Sequence, residues 1–387
     1  MKVVVQICRI LVGCLFIFSG FIKANDPLGF SYKLDEYFSA EIFNMEFLSG
    51  ITVYMAMAIC VIEIMLGVMV LLGEYMELAV WLLLLMIVGF SFLTGYSAYY
   101  NKVTDCGCFG DFMHLTPWTS FTKDIVLLVL ILVIFIYRKN ITPLTGSRWT
   151  RYHLSMAVLI PTLFTVYCYN YLPILDFRAY AVGSDLRVNM NLLHGQKGDS
   201  TVLKLVYKDK GSGEEKGYLM KELPFTDSVW MANHEFVKQD NEVIRVGDKP
   251  KITDFKVWSE ESPDITAEIL DDPAYRLWII CYDLQLSDKN AFAKIVKLAD
   301  DCDKHGIKTI GLTSTNYEIM DPFRHEVNAA FPFYYCDGTV LKTMIRSNPG
   351  IMLMKGSTVM GIWHYHQTPS YEKLNEKFFK QTEMKQN

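Results

Sequence analysis

The chain has 387 residues, which at about 150 residues per domain is enough for two or three structural units. Apolar residues make up 51% and charged residues only 20%, and the mean hydropathy is +0.19, which argues against a wholly soluble or disordered chain. The net charge of −5 offers no broad basic surface and therefore argues against nucleic-acid binding.

Five apolar stretches are long enough to cross a bilayer as helices, because a hydrocarbon core of about 30 Å needs roughly 20 residues. The first is predicted to be a retained helix rather than a signal peptide, since Arg9 interrupts it and no small-residue cleavage site follows Gly20. We therefore expect a multi-pass protein surrounded by a lipid bilayer. The stretches are approximately residues 3–22, 51–72, 78–98, 121–137 and 152–172.

Basic residues in the short loops predict the orientation, because such residues tend to stay on the cytoplasmic side. Lys2 and Arg9 place the N-terminus inside, and the connection between the fourth and fifth stretches carries four basic residues and no acid between positions 138 and 151. We expect an inner-membrane protein with a cytoplasmic N-terminus. Five crossings then place the chain after Pro173 in the periplasm.

From about residue 177 the sequence becomes mixed and polar, with short β-rich runs. Residues 201–208 and 216–220 predict a hairpin with a loose turn. Strands and helices then alternate before a final hairpin, which predicts an α/β fold with a small mixed sheet. The predicted elements are the strands 276–282, 307–313, 333–336, 351–354 and 359–364 and the helices 289–305 and 317–330.

Cys106 and Cys108, separated by Gly107, are the sharpest chemical signal in the chain. Thiols on the oxidising side of a membrane tend to form disulfides, and so small a ring should be strained and readily reduced. Three interpretations stay open, namely catalytic thiol–disulfide exchange at this pair, a structural bridge, and a metal site completed by His114. The spacing matches no known zinc motif, so no metal site is predicted.

Charged residues within and beside the apolar stretches predict a polar network. Glu63 lies inside the second stretch, where an acid costs about 2.5–3.5 kcal/mol. Arg9 is a candidate partner for it, but it lies nearer the inside end of the first helix and could instead snorkel to the membrane surface. Lys23 and Asp26, at the outer end of that helix, could pair with Asp105, Asp111 or Asp124. The network is either structural or handles protons or a quinone, the one candidate cofactor. The predicted members are Lys23, Asp26, Glu63, Asp105, Asp111 and Asp124.

Several separated motifs in the N-terminal third resemble those of the DoxX/MauE group of small four-helix membrane proteins, and specifically the methylamine-utilisation MauE-like branch. The resemblance covers about residues 1–140 and implies a role in disulfide chemistry or in the maturation of proteins outside the inner membrane. The motifs are FSGFIK at 18–23, DPLGF at 26–30, LDEYF at 34–38, EIMLG at 63–67, DCGCFGD at 105–111, and KD at 123–124.

The last part of the chain resembles a thioredoxin-like fold. Pro349 precedes the strand 351–354 and matches the cis-proline that faces a thioredoxin active site, so a cis bond is expected there although only about 5–6% of such bonds are cis. A thioredoxin carries Cys-x-x-Cys after the strand that corresponds to 277–281, but residues 282–288 contain no cysteine. The domain is therefore expected to act in recognition rather than in dithiol chemistry.

The predicted architecture is an α-helical membrane bundle, four DoxX/MauE-like helices plus a fifth crossing, followed by an extracytoplasmic α/β thioredoxin-like domain. The main hypothesis is a thiol–disulfide oxidoreductase that exchanges at Cys106 and Cys108 with an extracytoplasmic thiol protein. The alternatives are a non-catalytic scaffold whose outer domain binds a partner, with the pair as a structural bridge, and a lipid- or small-molecule-binding bundle. The predicted segments are 1–140 (bundle), 141–176 (cytoplasmic loop and fifth helix), 177–247 (β-rich) and 248–387 (thioredoxin-like).

Overall fold

The computed structural model describes residues 2–103, 107–113, 115–144, 146–198, 200–245 and 247–380. Two compact units are present, one formed by the chain up to Gly183 together with the chain from Lys256, and one formed by Ser184–Phe255. The first unit contains both a helical bundle and an α/β region. The second is the β-rich segment, which the sequence analysis bounded at 177–247.

The helical bundle contains five segments, within the described residues, that are long and apolar enough to cross a membrane: Val3–Asn25, Glu46–Leu72, Met76–Tyr100, Pro117–Asn140 and Trp149–Asn170. Each overlaps one of the five predicted stretches, so the prediction of a helical membrane bundle is confirmed at the level of length and composition. The helices are α1 (Lys2–Asn25), α2 (Pro27–Phe38), α3 (Thr52–Leu72), α4 (Met76–Tyr100), α5 (Pro117–Tyr137) and α6 (Ser147–Asn170).

Glycines allow α1 and α3 to approach each other closely. A Cβ at Gly67 would lie 2.7 Å from the carbonyl oxygen of Gly13 and 2.7 Å from Cγ1 of Ile17, so only a hydrogen fits at this crossing. Small residues have this role in membrane bundles because they bring two backbones within van der Waals contact. The crossing fixes the relative height of the polar side chains near the ends of both helices.

Helix α2, which the sequence analysis did not predict, begins directly after α1. The carboxylate of Asp26 accepts the Gly29 N–H at 2.9 Å, and Pro27 occupies the first helical position, where it costs no hydrogen bond. Phe30 and Leu34 on its buried face pack with residues of α3. The helix therefore lies against the bundle at the end where α1 stops.

The α/β region forms a six-stranded mixed sheet in the order β4-β7-β6-β5-β8-β9. Central β5 pairs in parallel with β6 and antiparallel with β8, and β8 and β9 form a hairpin, which fits the predicted mixed α/β order. The strands are β4 (Val257–Trp258), β5 (Tyr275–Cys281), β6 (Lys308–Thr313), β7 (Phe333–Cys336), β8 (Gly350–Lys355) and β9 (Thr358–His364), and the helices are α9 (Thr266–Asp271), α10 (Phe292–Asp303), α11 (Tyr317–Glu326), α12 (Gly338–Met344) and α13 (Tyr371–Leu374).

The β-rich unit is a three-stranded antiparallel sheet in the order β2-β1-β3. The two predicted strands correspond to β1 and β2, while the long third strand was not predicted. Tyr207 and Trp230 make an edge-to-face contact with ring centres 5.1 Å apart. The elements are β1 (Ser200–Asp209), β2 (Glu215–Leu219) and β3 (His234–Arg245), with the short helices α7 (Leu186–Asn189) and α8 (Ser228–Asn233).

Candidate functional site

A cavity of about 630 Å³ lies where the helical bundle meets the α/β region. Its walls come from the end of α1, from α2, from the loop that follows Cys106, from residues 173–178 after α6, and from α12. The volume lies within the range of about 300–1,000 Å³ that is usual for ligand pockets. Most of the predicted polar residues line this cavity or lie directly beneath it.

A buried ion pair between Lys23 and Glu63 forms the floor of the site. The Lys23 ammonium nitrogen lies 2.7 and 2.8 Å from the two carboxylate oxygens, and the side chains are 3% and 2% exposed. The rings of Phe30 and Phe90 face the same ammonium group, with centres 5.5 and 5.1 Å away. Each charge thus neutralises the other in surroundings that would not tolerate either alone.

Ser19 connects this ion pair to the cysteine loop, which is the segment between α4 and α5 that contains Cys106 and Cys108. It accepts a hydrogen bond from Lys23 at 2.8 Å, and its hydroxyl donates to the carbonyl oxygen of Cys108 at 3.2 Å. Cys108 is buried, and its side chain and that of Lys23 both line a second cavity of about 20 Å³. The predicted partners Cys106 and Asp105, and also His114, lie outside the described residues.

The cysteine loop contains two glycines in the left-handed region. Gly107 has φ +68° and Gly110 has φ +49°, where a side chain would be strained. Two consecutive turns follow, with the Gly110 N–H bonded to the Gly107 carbonyl at 3.1 Å and the Phe112 N–H bonded to the Phe109 carbonyl at 3.1 Å. The sequence pattern Gly-Cys-Phe-Gly therefore produces a tight turn around Cys108.

Arg346, which follows α12 in the α/β region, binds two carboxylates of the helical part. Its Nε lies 3.0 and 2.9 Å from the oxygens of Asp26, and its Nη2 lies 3.1 Å from Oδ2 of Asp111. Burial alone would raise the pKa of Asp26, but the Arg346 guanidinium and the Gly29 N–H outweigh it and hold that pKa below its usual value. The two carboxylates likewise raise the pKa of Arg346 despite its burial.

Two tyrosines join the same parts of the chain beside this cluster. The hydroxyl of Tyr32 on α2 donates to the hydroxyl of Tyr282 after β5 at 3.3 Å. Burial raises the pKa of both phenols, so both remain protonated near neutral pH. The ammonium of Lys342 on α12 lies 5.1 Å from the centre of the Tyr32 ring. The cavity wall here combines phenol hydroxyls with a cation.

Asp124 lies on α5, about two turns after the helix begins at Pro117. Its carboxylate accepts a hydrogen bond from Thr94 at 3.0 Å and pairs with Lys123 at 2.9 Å. The ammonium of Lys123 in turn lies 5.1 Å from the centre of the Phe109 ring, the residue after Cys108. Asp124 thus supports the loop from a different side than Lys23 does.

The structure corrects two predicted pairings. Arg9 is not the partner of Glu63, because it lies at the other end of α1 and donates to the carbonyl oxygens of Val70 and Leu71, where α3 ends. Lys23 pairs with Glu63 rather than with an aspartate of the cysteine loop. The heights of α1 and α3, set by their glycine crossing, decide both outcomes, and a sequence pattern does not reveal those heights.

The loops at the ends of β5 and before β8 lie together. The Asn348–Pro349 peptide bond is cis, as the sequence analysis expected. Asn348 donates from Nδ2 to the carbonyl oxygen of Asp283 at 2.7 Å, in the segment that follows β5. Cys281, at the end of β5, is fully buried, and burial raises the pKa of its thiol to about 12. It is therefore a poor nucleophile.

Arg346 and Ser19 are site residues that the sequence analysis missed. Arg346 stands in the largely apolar run 340–354, and a lone arginine in such a run is a signal that could have been used. Ser19 has no comparable signal. Among the described residues there is no group of three or more His, Cys, Asp or Glu side chains placed to hold a metal ion.

Comparison with known proteins gives one family match. A family model described as methylamine utilisation protein MauE matches residues 1–137 of the 387, that is, the segment containing α1 to α5 and the cysteine loop. No curated protein and no solved structure matches the chain. The N-terminal third is therefore a MauE-like membrane region, and the chain is a multi-pass membrane protein that carries a mixed α/β region after it.

Proposed function

We propose that this protein carries out thiol–disulfide exchange at Cys106 and Cys108 on behalf of proteins outside the inner membrane. One cysteine, as the thiolate, attacks a partner disulfide and releases one partner sulfur as a thiolate. The second cysteine then attacks the mixed disulfide and releases the other. The partner gains two electrons and the pair becomes a disulfide, and the reverse sequence oxidises a partner dithiol.

The position of Cys108 relative to Lys23 carries this proposal. Both side chains line one small cavity, and Ser19 bonds to both the Lys23 ammonium and the Cys108 carbonyl. Because Glu63 neutralises Lys23, the ion pair would contribute by fixing the position of Cys108 through Ser19 rather than by supplying a free cation to the thiol. A loop whose cysteines formed only a structural disulfide would not need a hydrogen bond between its backbone and a buried ion pair.

The proposed orientation supports the same chemistry. With the N-terminus in the cytoplasm, five crossings would put the cysteine loop, the cavity and the α/β region on the periplasmic side of the inner membrane. Thiol pairs on that side meet an oxidising environment. The pair would then work where extracytoplasmic proteins receive their disulfides.

The α/β region is proposed to be a thioredoxin-like recognition domain. Its β5-α10-β6 unit, followed by the β8–β9 hairpin with a cis-proline before β8, is consistent with that fold. Residues 282–288 contain no cysteine, and their backbone is bonded to Asn348 beside the cis-proline. The domain would therefore bind or position a partner rather than exchange thiols itself.

An apolar groove offers a place for a quinone as electron acceptor. It has a volume of about 620 Å³ and lies between α1 and α5, with Leu11, Leu15 and Leu130 among its walls and Lys123 on the α5 side. Because the Lys123 ammonium also faces the Phe109 ring, this lysine links the groove to the cysteine loop. An isoprenoid chain matches such a lining, and a quinone bound there would supply two-electron oxidation of the pair.

The test is a redox titration of the cysteine pair in membranes containing the full chain. Glutathione buffers would span about −300 to −150 mV, and the oxidised fraction of the pair would be read by mass-tagged alkylation. We expect a single two-electron midpoint inside that range, lost in Cys106→Ser and in Cys108→Ser but kept in Cys14→Ser, whose side chain is exposed on α1. A pair that stays reduced throughout would refute exchange.

A scaffold function is the second candidate, and the binding of Arg346 to Asp26 and Asp111 favours it. A non-catalytic protein would use these contacts to fix the α/β region on the bundle, with the cysteine pair as a bridge. The scaffold predicts that the double variant Cys106→Ser, Cys108→Ser keeps its cellular function while loss of the chain after Pro173 abolishes it. Exchange predicts that the double variant is inactive.

A further inference from the structure

Arg346 links the α/β region to the cysteine loop through a single side chain. It lies three residues before Pro349, and its side chain is 6% exposed. Its guanidinium contacts Asp26 at the start of α2 and, with Nη2, Asp111 at 3.1 Å. Asp111 is three residues from Cys108, inside the same pair of turns. The α/β region thus holds the loop that carries the cysteine.

The loop is held at two points that belong to different parts of the molecule. Ser19 on α1 binds the carbonyl oxygen of Cys108 at 3.2 Å, and Arg346 binds the carboxylate of Asp111. The first contact lies within the bundle and involves no atom of the α/β region. The second depends on the α/β region remaining in place, so it can be released independently of the first.

The geometry at Arg346 requires a guanidinium. The Nε atom of Arg346 contacts both carboxylate oxygens of Asp26, and the Nη2 atom contacts Oδ2 of Asp111. Both nitrogens belong to one planar group. A lysine ammonium is a compact point charge and cannot span both carboxylates in this way. The arrangement therefore fixes the direction of Asp111 and does not merely neutralise its charge.

Burial of Cys108 makes this contact relevant to exchange. The residue is only 9% exposed, so a partner sulfur cannot approach it in line while the loop is held as it is. An exchange reaction needs the loop to open, and the turn around Gly107 and Gly110 gives it backbone freedom to do so. Whatever holds Asp111 then controls how often Cys108 is reached.

We propose that Arg346 is a positioning residue that keeps the cysteine loop closed and releases it when a partner displaces the α/β region. This regulation rests on the proposed exchange at Cys106 and Cys108. Arg346 takes no part in bond making. It acts on Cys108 through Asp111. The reactivity of the cysteine pair then depends on whether the α/β region is in place, although residues 282–288 of that region contain no cysteine.

The experiment measures how fast Cys108 is alkylated in the full-length protein in membranes, after reduction by a phosphine, using peptide mass spectrometry. We expect Arg346→Gln to raise the rate about tenfold, because modification of a buried group follows the population of the open form. Arg346→Lys should give a similar rise, since it keeps the charge but not the geometry. Asp111→Asn should raise the rate as well, without disturbing Asp26.

Arg324→Gln is the matched control, because Arg324 pairs with Asp321 on the surface of the same α/β region, 3.5 Å apart and far from the loop in sequence. Its alkylation rate should equal that of the wild type. Wild-type rates in both Arg346→Lys and Asp111→Asn would overturn the inference, even if Arg346→Gln failed to fold. The alkylation rate is independent of the redox titration, so the absence of a redox midpoint would refute exchange without deciding the role of Arg346.

Discussion

The two carboxylate oxygens of Glu63 lie 2.7 and 2.8 Å from the ammonium nitrogen of Lys23, inside helices that are otherwise apolar. Both residues were candidates for a polar network from the sequence, but their pairing follows from the close crossing of α1 and α3. Ser19 bonds both to this ion pair and to the Cys108 carbonyl oxygen of the cysteine loop. Loss of the ion pair should therefore affect both stability and the loop.

Glu63→Gln should lower the free energy of unfolding in detergent micelles by about 3–5 kcal/mol, because it leaves the Lys23 ammonium buried without its counter-charge. The joint replacement Lys23→Met, Glu63→Leu should recover most of this loss, since no charge then remains buried. The control is Glu326→Gln, which breaks the exposed Lys289–Glu326 pair and should cost less than about 1 kcal/mol. Equal losses in Glu63→Gln and Glu326→Gln would contradict the role given to the buried pair.

Ser19→Ala should destabilise the protein by about 1–3 kcal/mol, because it removes an acceptor of the Lys23 ammonium and the donor to the Cys108 carbonyl. Chemical unfolding followed by tryptophan fluorescence measures the change. Ser91→Ala is the matched control, since the Ser91 hydroxyl is buried without a hydrogen-bond partner among the described residues. Its removal should be neutral or stabilising, and a loss as large as that of Ser19→Ala would disprove the tether.

Gly107→Ala should cost about 1–2 kcal/mol, because its φ of +68° lies in the left-handed region and a Cβ there would lie 3.1 Å from Cγ of Lys33. The same variant should alter the alkylation rate of Cys108, since alanine would strain the turn that contains it. Gly146→Ala serves as control, because a Cβ at Gly146 meets nothing within 4 Å. If both variants unfold at the same denaturant concentration, the turn does not depend on this glycine.

His364 predicts a pH dependence of stability. Burial, aided by nearby His366, lowers the pKa of His364 from 6.5 to about 4. Between pH 6.5 and about 4, His364 is protonated in the unfolded chain but neutral in the folded chain. The stability that is present above pH 6.5 is therefore lost as the pH falls towards 4. The slope is at most about 1.4 kcal/mol per pH unit in that window. Denaturant unfolding at a series of pH values measures it.

His364→Asn should flatten the slope between pH 6.5 and 4, because the amide oxygen can replace Nδ1 as acceptor of the His366 N–H without titrating. Asp26→Asn is the comparison. The pKa of Asp26 is lowered below its usual value of 3.8, so its contribution is lost only at pH values below that window. An unchanged slope in His364→Asn would rule out this histidine as the titrating group.

Patterns local in the chain were predicted well and contacts between distant segments were not. The strand 276–282 and the hairpin 351–364 follow from continuous apolar runs and turn residues, and they appear as β5, β8 and β9. Helix α2 has weak periodicity and a short length, and it forms because Asp26 and Pro27 start it and α3 covers its apolar face. Strand β3 carries a polar central run, residues 238–242, and was missed because pairing with β1, not its own composition, makes it a strand.

The site shows the same division. Charged residues in apolar surroundings, such as Lys23 and Glu63, stand out in the sequence and do lie at the site. A charge in a membrane-spanning helix is costly, so it is usually paired or functional. Their partners could not be assigned, since Asp26 pairs with Arg346, 320 positions away. The resemblance to the MauE-like branch located the cysteine loop, and the family match over residues 1–137 agrees with its extent.

Arg346 also has a consequence for how the protein is made. Asp26 and Asp111 belong to segments that leave the ribosome and enter the membrane long before residue 346 is synthesised. During that interval the bundle carries two carboxylates without the guanidinium that they bind in the finished protein. If Arg346 holds the cysteine loop closed as proposed, Cys108 in a chain that stops before residue 346 should be alkylated faster than in the full chain.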